Sequence, residues 1–256
     1  MVKYMFNLLP FILTLIAGFS TLIGFLPVLI KVKNINKFIC ASLSFASGVM
    51  LCVSITDLIP ESINMLRVNF CSSLTIILCF LFILLGIILS IIIDYYLPSD
   101  LNSSDSMNNK LYKVGLFSML AIILHNIPEG IATFVATSSS VKLGLSLTIA
   151  IAMHNIPEGI SIAVPIYYST KSKLKAFIYT LISSLSEPFG ALIAYFFLLK
   201  FNNDILLGLL FSFIAGIMMQ ISLLELLPTS KKYNYKYITI IFFVIGCIFM
   251  LFKFLF

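Results

Sequence analysis

His125-Asn126-Ile127-Pro128-Glu129-Gly130 stands near the middle of a long apolar run. The same six residues return as His154-Asn155-Ile156-Pro157-Glu158-Gly159, twenty-nine positions further on. These two histidines are the only ones in the chain. The flanking residues are mostly Leu, Ile, Ala and Phe, the composition of a membrane span, and a carboxylate at mid-membrane depth costs roughly 3 kcal/mol to insert. Glu129 and Glu158 have no Lys or Arg near them in the sequence to offset that cost. A bound cation is the simplest source of compensating charge.

Outward from the two hexapeptides the chain stays apolar. Of its 256 residues 61% are apolar and 10% charged, against about a quarter charged in a soluble domain. A soluble globular protein is excluded. Eight apolar stretches, at about 5–30, 38–60, 71–97, 113–137, 142–167, 174–199, 204–228 and 237–256, are separated by short polar breaks. A helical crossing needs roughly 20 apolar residues. None of the stretches alternates strictly as a lipid-facing barrel strand does, so helices are the spanning form. The expected fold is an all-α polytopic membrane protein, eight transmembrane helices in one transmembrane domain over residues 1–256. The break around 98–112 is the most polar, with Pro98, Asp100, Ser103, Ser104, Asp105, Asn108 and Asn109, and reads as a loop.

The net charge of +6 does not indicate nucleic acid, because the lysines cluster in the breaks between spans. Lys31, Lys33, Lys37, Lys110, Lys113, Lys171, Lys173, Lys175, Lys231, Lys232 and Lys236 fall on one side. Lys3, Arg67, Lys142, Lys200 and Lys253 fall on the other. The positive-inside rule puts the first set in the cytoplasm and both termini on the external side, with the plasma (inner) membrane as the expected location. The early apolar run continues to Ile30, longer than a signal-peptide core, and reads as the first span. Five cysteines are scattered through apolar stretches without a C-x-x-C pair, and read as small buried residues rather than disulfides or ligands.

Adjacent spans run antiparallel, so the two hexapeptides enter the bilayer from opposite directions. A fainter echo joins Asp57-Leu58-Ile59-Pro60 in span 2 to Glu225-Leu226-Leu227-Pro228 in span 7. This is the pattern of an inverted repeat, helices 1–3 with 6–8 and helix 4 with 5. On a helix His125 and Glu129, four residues apart, share one face, as do His154 and Glu158. Pro128 and Pro157 cannot donate to the carbonyls of Leu124 and Met153, and should kink their helices and free an oxygen beside the acids. Two imidazoles, two carboxylates and the amides of Asn126 and Asn155 can surround one or two divalent ions. Glu187, followed by Pro188 in span 6, would add a bridging or second-site carboxylate. Mixed nitrogen and oxygen donors without thiolate suit Zn²⁺, and also Fe²⁺, Mn²⁺, Co²⁺ and Cd²⁺. Calcium and magnesium sites rarely use imidazole.

The doubled H-N-x-P-E-G in consecutive spans, E-P-x-G in the next span and eight helices together resemble the Zrt/Irt-like (ZIP) divalent metal transporters, in the bacterial-type branch with HNxPEG in both central helices. The resemblance covers nearly the whole chain. It implies an eight-helix bundle with a binuclear metal centre between helices 4 and 5, moving divalent metal into the cytoplasm. The ligands it implies are His125, Asn126, Glu129, His154, Asn155, Glu158 and Glu187. The break between spans 3 and 4 lacks the histidines that many eukaryotic members carry there.

Plainer readings stand beside these. Pro60 and Pro228 read equally as helix terminators or as gating elements, and Asp57 and Glu225 as pathway carboxylates or as solvated interface acids. Met50, Met218, Met219 and Gln220 read as packing. Ser183, Ser184 and Ser186 read as interhelical hydrogen-bond donors. The chain reads as a transporter and not an enzyme. It carries a metal ion as substrate, without an organic cofactor, and its partners are the lipid bilayer and divalent metal ions, with a homodimer left open. The alternative is a membrane-embedded metal-dependent hydrolase, in which a His-plus-Glu metal site activates water. The sequence lacks H-E-x-x-H, and hydrolysis gives no reason for an inverted repeat.

Overall fold

The computed structural model describes residues 8–96, 106–139, 141–197 and 204–251, and among these it is almost entirely helical, without strands. In chain order the spans are α1 (Leu9–Ile23, followed by a 3₁₀ turn Leu26–Leu29), α2 (Ile35–Arg67), α3 (Ser72–Tyr96) and α4 (Ser106–Ser139). The second half holds α5 (Val141–Thr170), α6 (Lys173–Ser184 and Ser186–Phe197), α7 (Asp204–Gln220, Ile221–Leu226 and Leu227–Lys231) and α8 (Lys236–Leu251). Seven helices among the described residues are long and apolar enough to cross a membrane, and α8 is a shorter apolar helix. The chain is an integral membrane protein with the expected order of spans. The start of the first stretch, the end of the last and residues 97–105 of the polar break lie outside the described residues.

Three expected boundaries are corrected. α4 begins at Ser106 rather than at 113: its first turns are polar, so hydropathy reads them as loop although they continue the helix. The other two concern the prolines. Pro60 and Pro228 do not terminate their helices; α2 runs on to Arg67 and α7 to Lys231. Just before each proline the helix widens into a π segment, Ser54–Leu58 in α2 and Ile221–Leu226 in α7. There Ile59 N–H donates to Ser54 O, and Leu227 N–H to Ser222 O, five residues back in both cases. Each proline then falls in the first turn of the next α-helical piece, where a missing N–H does no harm. Asp57 and Glu225 both lie inside these π segments.

The inverted repeat extends through the packing. α5 packs along α1 as α4 packs along α6, and α2 along α8 as α3 along α7, so the pairs are 1 with 6, 2 with 7, 3 with 8 and 4 with 5. The seams match residue for residue. A Cβ on Gly48 would strike the backbone of Phe243 in α8, and one on its mate Gly216 would strike that of Ile83 in α3. Ser47 Oγ donates to Ser222 O at 2.9 Å, Ser222 Oγ returns to Ser47 O at 2.8 Å, and Ser62 Oγ donates to Gly208 O at 2.7 Å. This antiparallel register sets Asp57 and Glu225 about a dozen residues apart along the shared axis of α2 and α7, roughly 18 Å at 1.5 Å per residue. Met50 and Met218, mates under the repeat, stand between them, both fully buried.

Capping fixes the ends on one face of the bundle. Asn34 accepts from Lys37 N at 3.0 Å to start α2, and Ser172 accepts from Lys175 N at 3.2 Å to start α6. The main core lies where α2, α4, α5 and α7 meet, around Leu43, Met50, Phe117, Ile162, Ile166 and Ile214. The outward face of α3, with Ile76, Ile77, Phe80 and Ile88 exposed, suits lipid. All five cysteines are free, and Cys71 is exposed rather than buried.

Candidate metal centre

α4 and α5 pack against each other as an antiparallel pair, which brings the two hexapeptides to one level from opposite directions. The chain runs helically through Pro128 and Pro157, although neither nitrogen can donate to the carbonyl four residues back. Each hexapeptide closes on a glycine for a steric reason. A Cβ on Gly130 would strike the backbone of Glu187 in α6, and one on Gly159 would strike the backbone of Thr21 in α1. The approach holds the carboxylate of each hexapeptide close to a third helix.

The imidazoles and carboxylates pair across the repeat. His125 Nε2 lies 3.1 Å from both carboxylate oxygens of Glu158. His154 Nε2 lies 3.2 Å and 3.4 Å from those of Glu129. Each copy's histidine therefore meets the other copy's glutamate, and the two contacts are images of one another. The sequence put His125 and Glu129 on one face of a helix. The structure adds that the shared face turns toward its twin. His125 Nδ1 lies 3.2 Å from Ala121 O, so both ring nitrogens of His125 face acceptors. This is a place where a proton or a cation belongs.

Asn155 and Glu187 complete the cluster. Asn155 Nδ2 donates to Ala17 O in α1 at 3.0 Å and also to Glu187 Oε1. Glu187 reaches the site because α6 breaks at Leu185, one turn before Pro188. Its Oε2, Asn155 Oδ1 and both side-chain polar atoms of Asn126 are buried without a hydrogen-bond partner. All seven residues are at least 95% buried. Unpaired polar atoms in so dry a setting are rare in proteins and call for an explanation. Among the described residues no three His, Cys, Asp or Glu side chains converge to grip one ion as they stand, because imidazole and carboxylate satisfy each other in pairs.

The structure thus brings together His125, Glu129, His154, Glu158, Asn155 and Glu187, with Asn126 buried beside its own histidine. Asp57 and Glu225 are not part of this cluster. They are half-buried on α2 and α7, with Thr56 Oγ1 donating to Asp57 Oδ2 at 3.0 Å. The serines of α6 do not bond between helices as expected. Ser184 donates to Leu181 O and Ser186 to Ser183 O, both within α6, since a short hydroxyl on a helix reaches its own carbonyls first. Gln220 does more than pack, accepting from Ser90 Oγ at 2.6 Å to tie α7 to α3. The Ala17 carbonyl, which anchors Asn155, carried no sequence signal.

Comparisons with known proteins identify the family. Residues 101–253 match the family model described as ZIP zinc transporter. The chain is 38% identical to the zinc transporter ZupT of Clostridium perfringens, covering 95% of this chain and 94% of that protein. It is 41% identical to that of Streptococcus mutans, covering 94% of each. To that of Campylobacter jejuni it is 36% identical, over 87% of each. With a family model matched over more than half its length and relatives matched nearly end to end, this chain belongs to the ZIP family of metal transporters.

Proposed function

We propose that this chain carries divalent transition-metal ions, zinc foremost, across the membrane into the cytoplasm, and that the ion passes through the cluster between α4 and α5. The observation that carries the reading is the reciprocal pairing of His125 with Glu158 and of His154 with Glu129, both pairs buried. Each pair presents an imidazole nitrogen and a carboxylate to one point. A divalent ion arriving there takes the place of the proton between them, leaving neutral imidazole and ionised carboxylate as ligands. Asn126, Asn155 and Glu187 supply further oxygens from atoms that are otherwise unpaired.

The names of the relatives support zinc as the substrate. The donor set of imidazole, carboxylate and amide suits zinc and its transition-metal neighbours, and holds an ion less tightly than a closed thiolate cage would. Lysine distribution supports a plasma-membrane orientation with both termini outside. Asp57 and Glu225 then serve as carboxylates on opposite sides of the centre, each drawing cations toward it. Every proposed ligand comes from one chain, so a homodimer would repeat the site rather than complete it. A membrane-embedded hydrolase is not favoured, because the family is one of transporters and the repeat makes the two approaches to the site equivalent.

The test is zinc uptake into liposomes containing purified protein and an internal zinc-sensitive dye. Native protein should give saturable uptake, and the variant carrying Glu129→Ala and Glu158→Ala should give none above empty liposomes. Native flux in that variant would show that the ion takes another route.

A further inference from the structure

One position on α1 is the image of Glu187 and differs from it only in chemistry. The step along the chain that carries α1 onto α6 takes Thr14 to Thr180, Ala17 to Ser183, Ser20 to Ser186 and Gly24 to Gly190. The structure repeats each local detail. Thr14 and Thr180 each donate to the carbonyl four residues back, at 2.8 Å in both. Ser20 and Ser186 each donate to the carbonyl three back, that of Ala17 and of Ser183. Gly24 abuts the Ile156 carbonyl of one hexapeptide, and Gly190 the Ile127 carbonyl of the other. The same step takes Thr21 to Glu187, whose backbones lie against Gly159 and Gly130 respectively.

Thr21 is fully buried and its hydroxyl has no hydrogen-bond partner. A helical threonine ordinarily donates to the carbonyl four back, as Thr14 and Thr180 do. For Thr21 that carbonyl is Ala17's, and it already accepts Ser20 Oγ at 2.6 Å and Asn155 Nδ2 at 3.0 Å. With the helical N–H bond it also accepts, that oxygen has no lone pair left for the hydroxyl. The image of this arrangement explains a second orphan. Asn155 donates to Glu187; its mate Asn126 faces, under the repeat, the shorter Thr21, and both polar atoms of Asn126 are left unpaired. The hydroxyl of Ser183, the mate of Ala17, is unpaired as well. Neutral oxygens from three helices are thus buried, unsatisfied and related by the repeat to the Asn155–Glu187 pair.

We propose that Thr21 is a specificity-determining residue of the metal path, the uncharged counterpart of Glu187, set with Asn126 and Ser183 where a divalent ion crosses the α1 side of the site with part of its water shell. The proposal rests on the reading of the α4–α5 cluster as the ion's route. A hydroxyl and an amide hold such an ion more weakly than a carboxylate does. The centre is therefore lopsided, with tight binding on the α6 side and loose binding on the α1 side, which lets the ion leave a site that would otherwise hold it from both directions.

Zinc uptake by liposomes tests this with four variants. Thr21→Val keeps the shape and removes the oxygen. It should raise the apparent KM for zinc about threefold or more with little change in maximal rate, and Thr21→Ser should recover most of that loss. Glu187→Thr should weaken uptake, and adding Thr21→Glu to it should restore part of what was lost, since the carboxylate moves to the image position. A native KM in Thr21→Val overturns the proposal. If Thr21→Val does not fold, the exchange pair decides: recovery supports the proposal, and no gain over Glu187→Thr alone overturns it. The Glu129→Ala and Glu158→Ala double variant run alongside separates the two ideas. If it is inactive while Thr21→Val is native, the route stands and only the role of Thr21 falls; if it is active, the route itself is wrong.

Discussion

The two hexapeptides are identical in sequence and inverted in space, yet they do not have identical neighbours. The glycine that closes the first, Gly130, rests on the backbone of Glu187 in α6; the glycine that closes the second, Gly159, rests on the backbone of Thr21 in α1. One half of the centre therefore receives an extra carboxylate and the other a hydroxyl. The cross-paired histidines and glutamates are symmetric within about 0.3 Å, at 3.1 Å on one side and 3.2 Å to 3.4 Å on the other. Symmetry sits in the cross-paired residues proposed to meet the ion from both membrane faces. The departure from it sits one helix further out, at Glu187 and Thr21. A duplicated motif can thus serve alternating access while its surroundings diverge.

The largest expected effect comes from breaking the two close approaches. Replacing Gly130 or Gly159 with leucine drives a side chain into the backbone of α6 or α1, and neither backbone can retreat without unpacking its helix. Both variants should lose the monodisperse peak of folded protein in detergent gel filtration, to a similar extent. A well-folded Gly159→Leu beside a collapsed Gly130→Leu would show that the halves are not packed as equivalents.

A middle-sized effect concerns acid. As proposed ligands, His125 and His154 must give up to zinc any proton held between imidazole and carboxylate, so the proton competes with the metal. Lowering the pH from about 7.5 to about 5.5 should weaken apparent zinc affinity by about tenfold or more. Isothermal titration in detergent would measure it. An affinity that holds constant down to pH 5.5 would remove both histidines from the ligand set.

How much of this was legible beforehand follows from what each feature depends on. Eight spans, their order and the inverted repeat were readable because apolar runs and an exact hexapeptide are local signals. The extension of α4 back to Ser106 was not, because polar residues in a helix that leaves the membrane read as loop. The fates of Pro60 and Pro228 depended on π segments, which have no composition of their own; only the acid three residues before each proline was visible as an echo. The seven candidate residues could be named from spacing and resemblance. The cross-pairing could not, since i and i+4 spacing says which face a residue occupies and not which helix that face meets. Thr21 gives no signal as a single residue, and becomes visible only when α1 is laid on α6.

The smallest effect is one of accessibility. With the register fixed by the Ser47–Ser222 and Ser62–Gly208 contacts, Asp57 and Glu225 lie on opposite sides of the Met50–Met218 level. In a background freed of native cysteine, Asp57→Cys should react with an impermeant thiol reagent from outside and Glu225→Cys only from the cytoplasmic side, with zinc changing both rates by a few-fold. Reaction of both from the same face would break the topology.

Whether the two hexapeptides build one zinc site is best settled by X-ray absorption at the zinc edge on purified, zinc-loaded protein. The expected spectrum contains imidazole nitrogen at about 2.0–2.1 Å together with carboxylate oxygen, and the imidazole component falls by a similar fraction in His125→Ala and in His154→Ala. A native spectrum without imidazole, or one that neither substitution alters, would contradict a centre shared between the two copies.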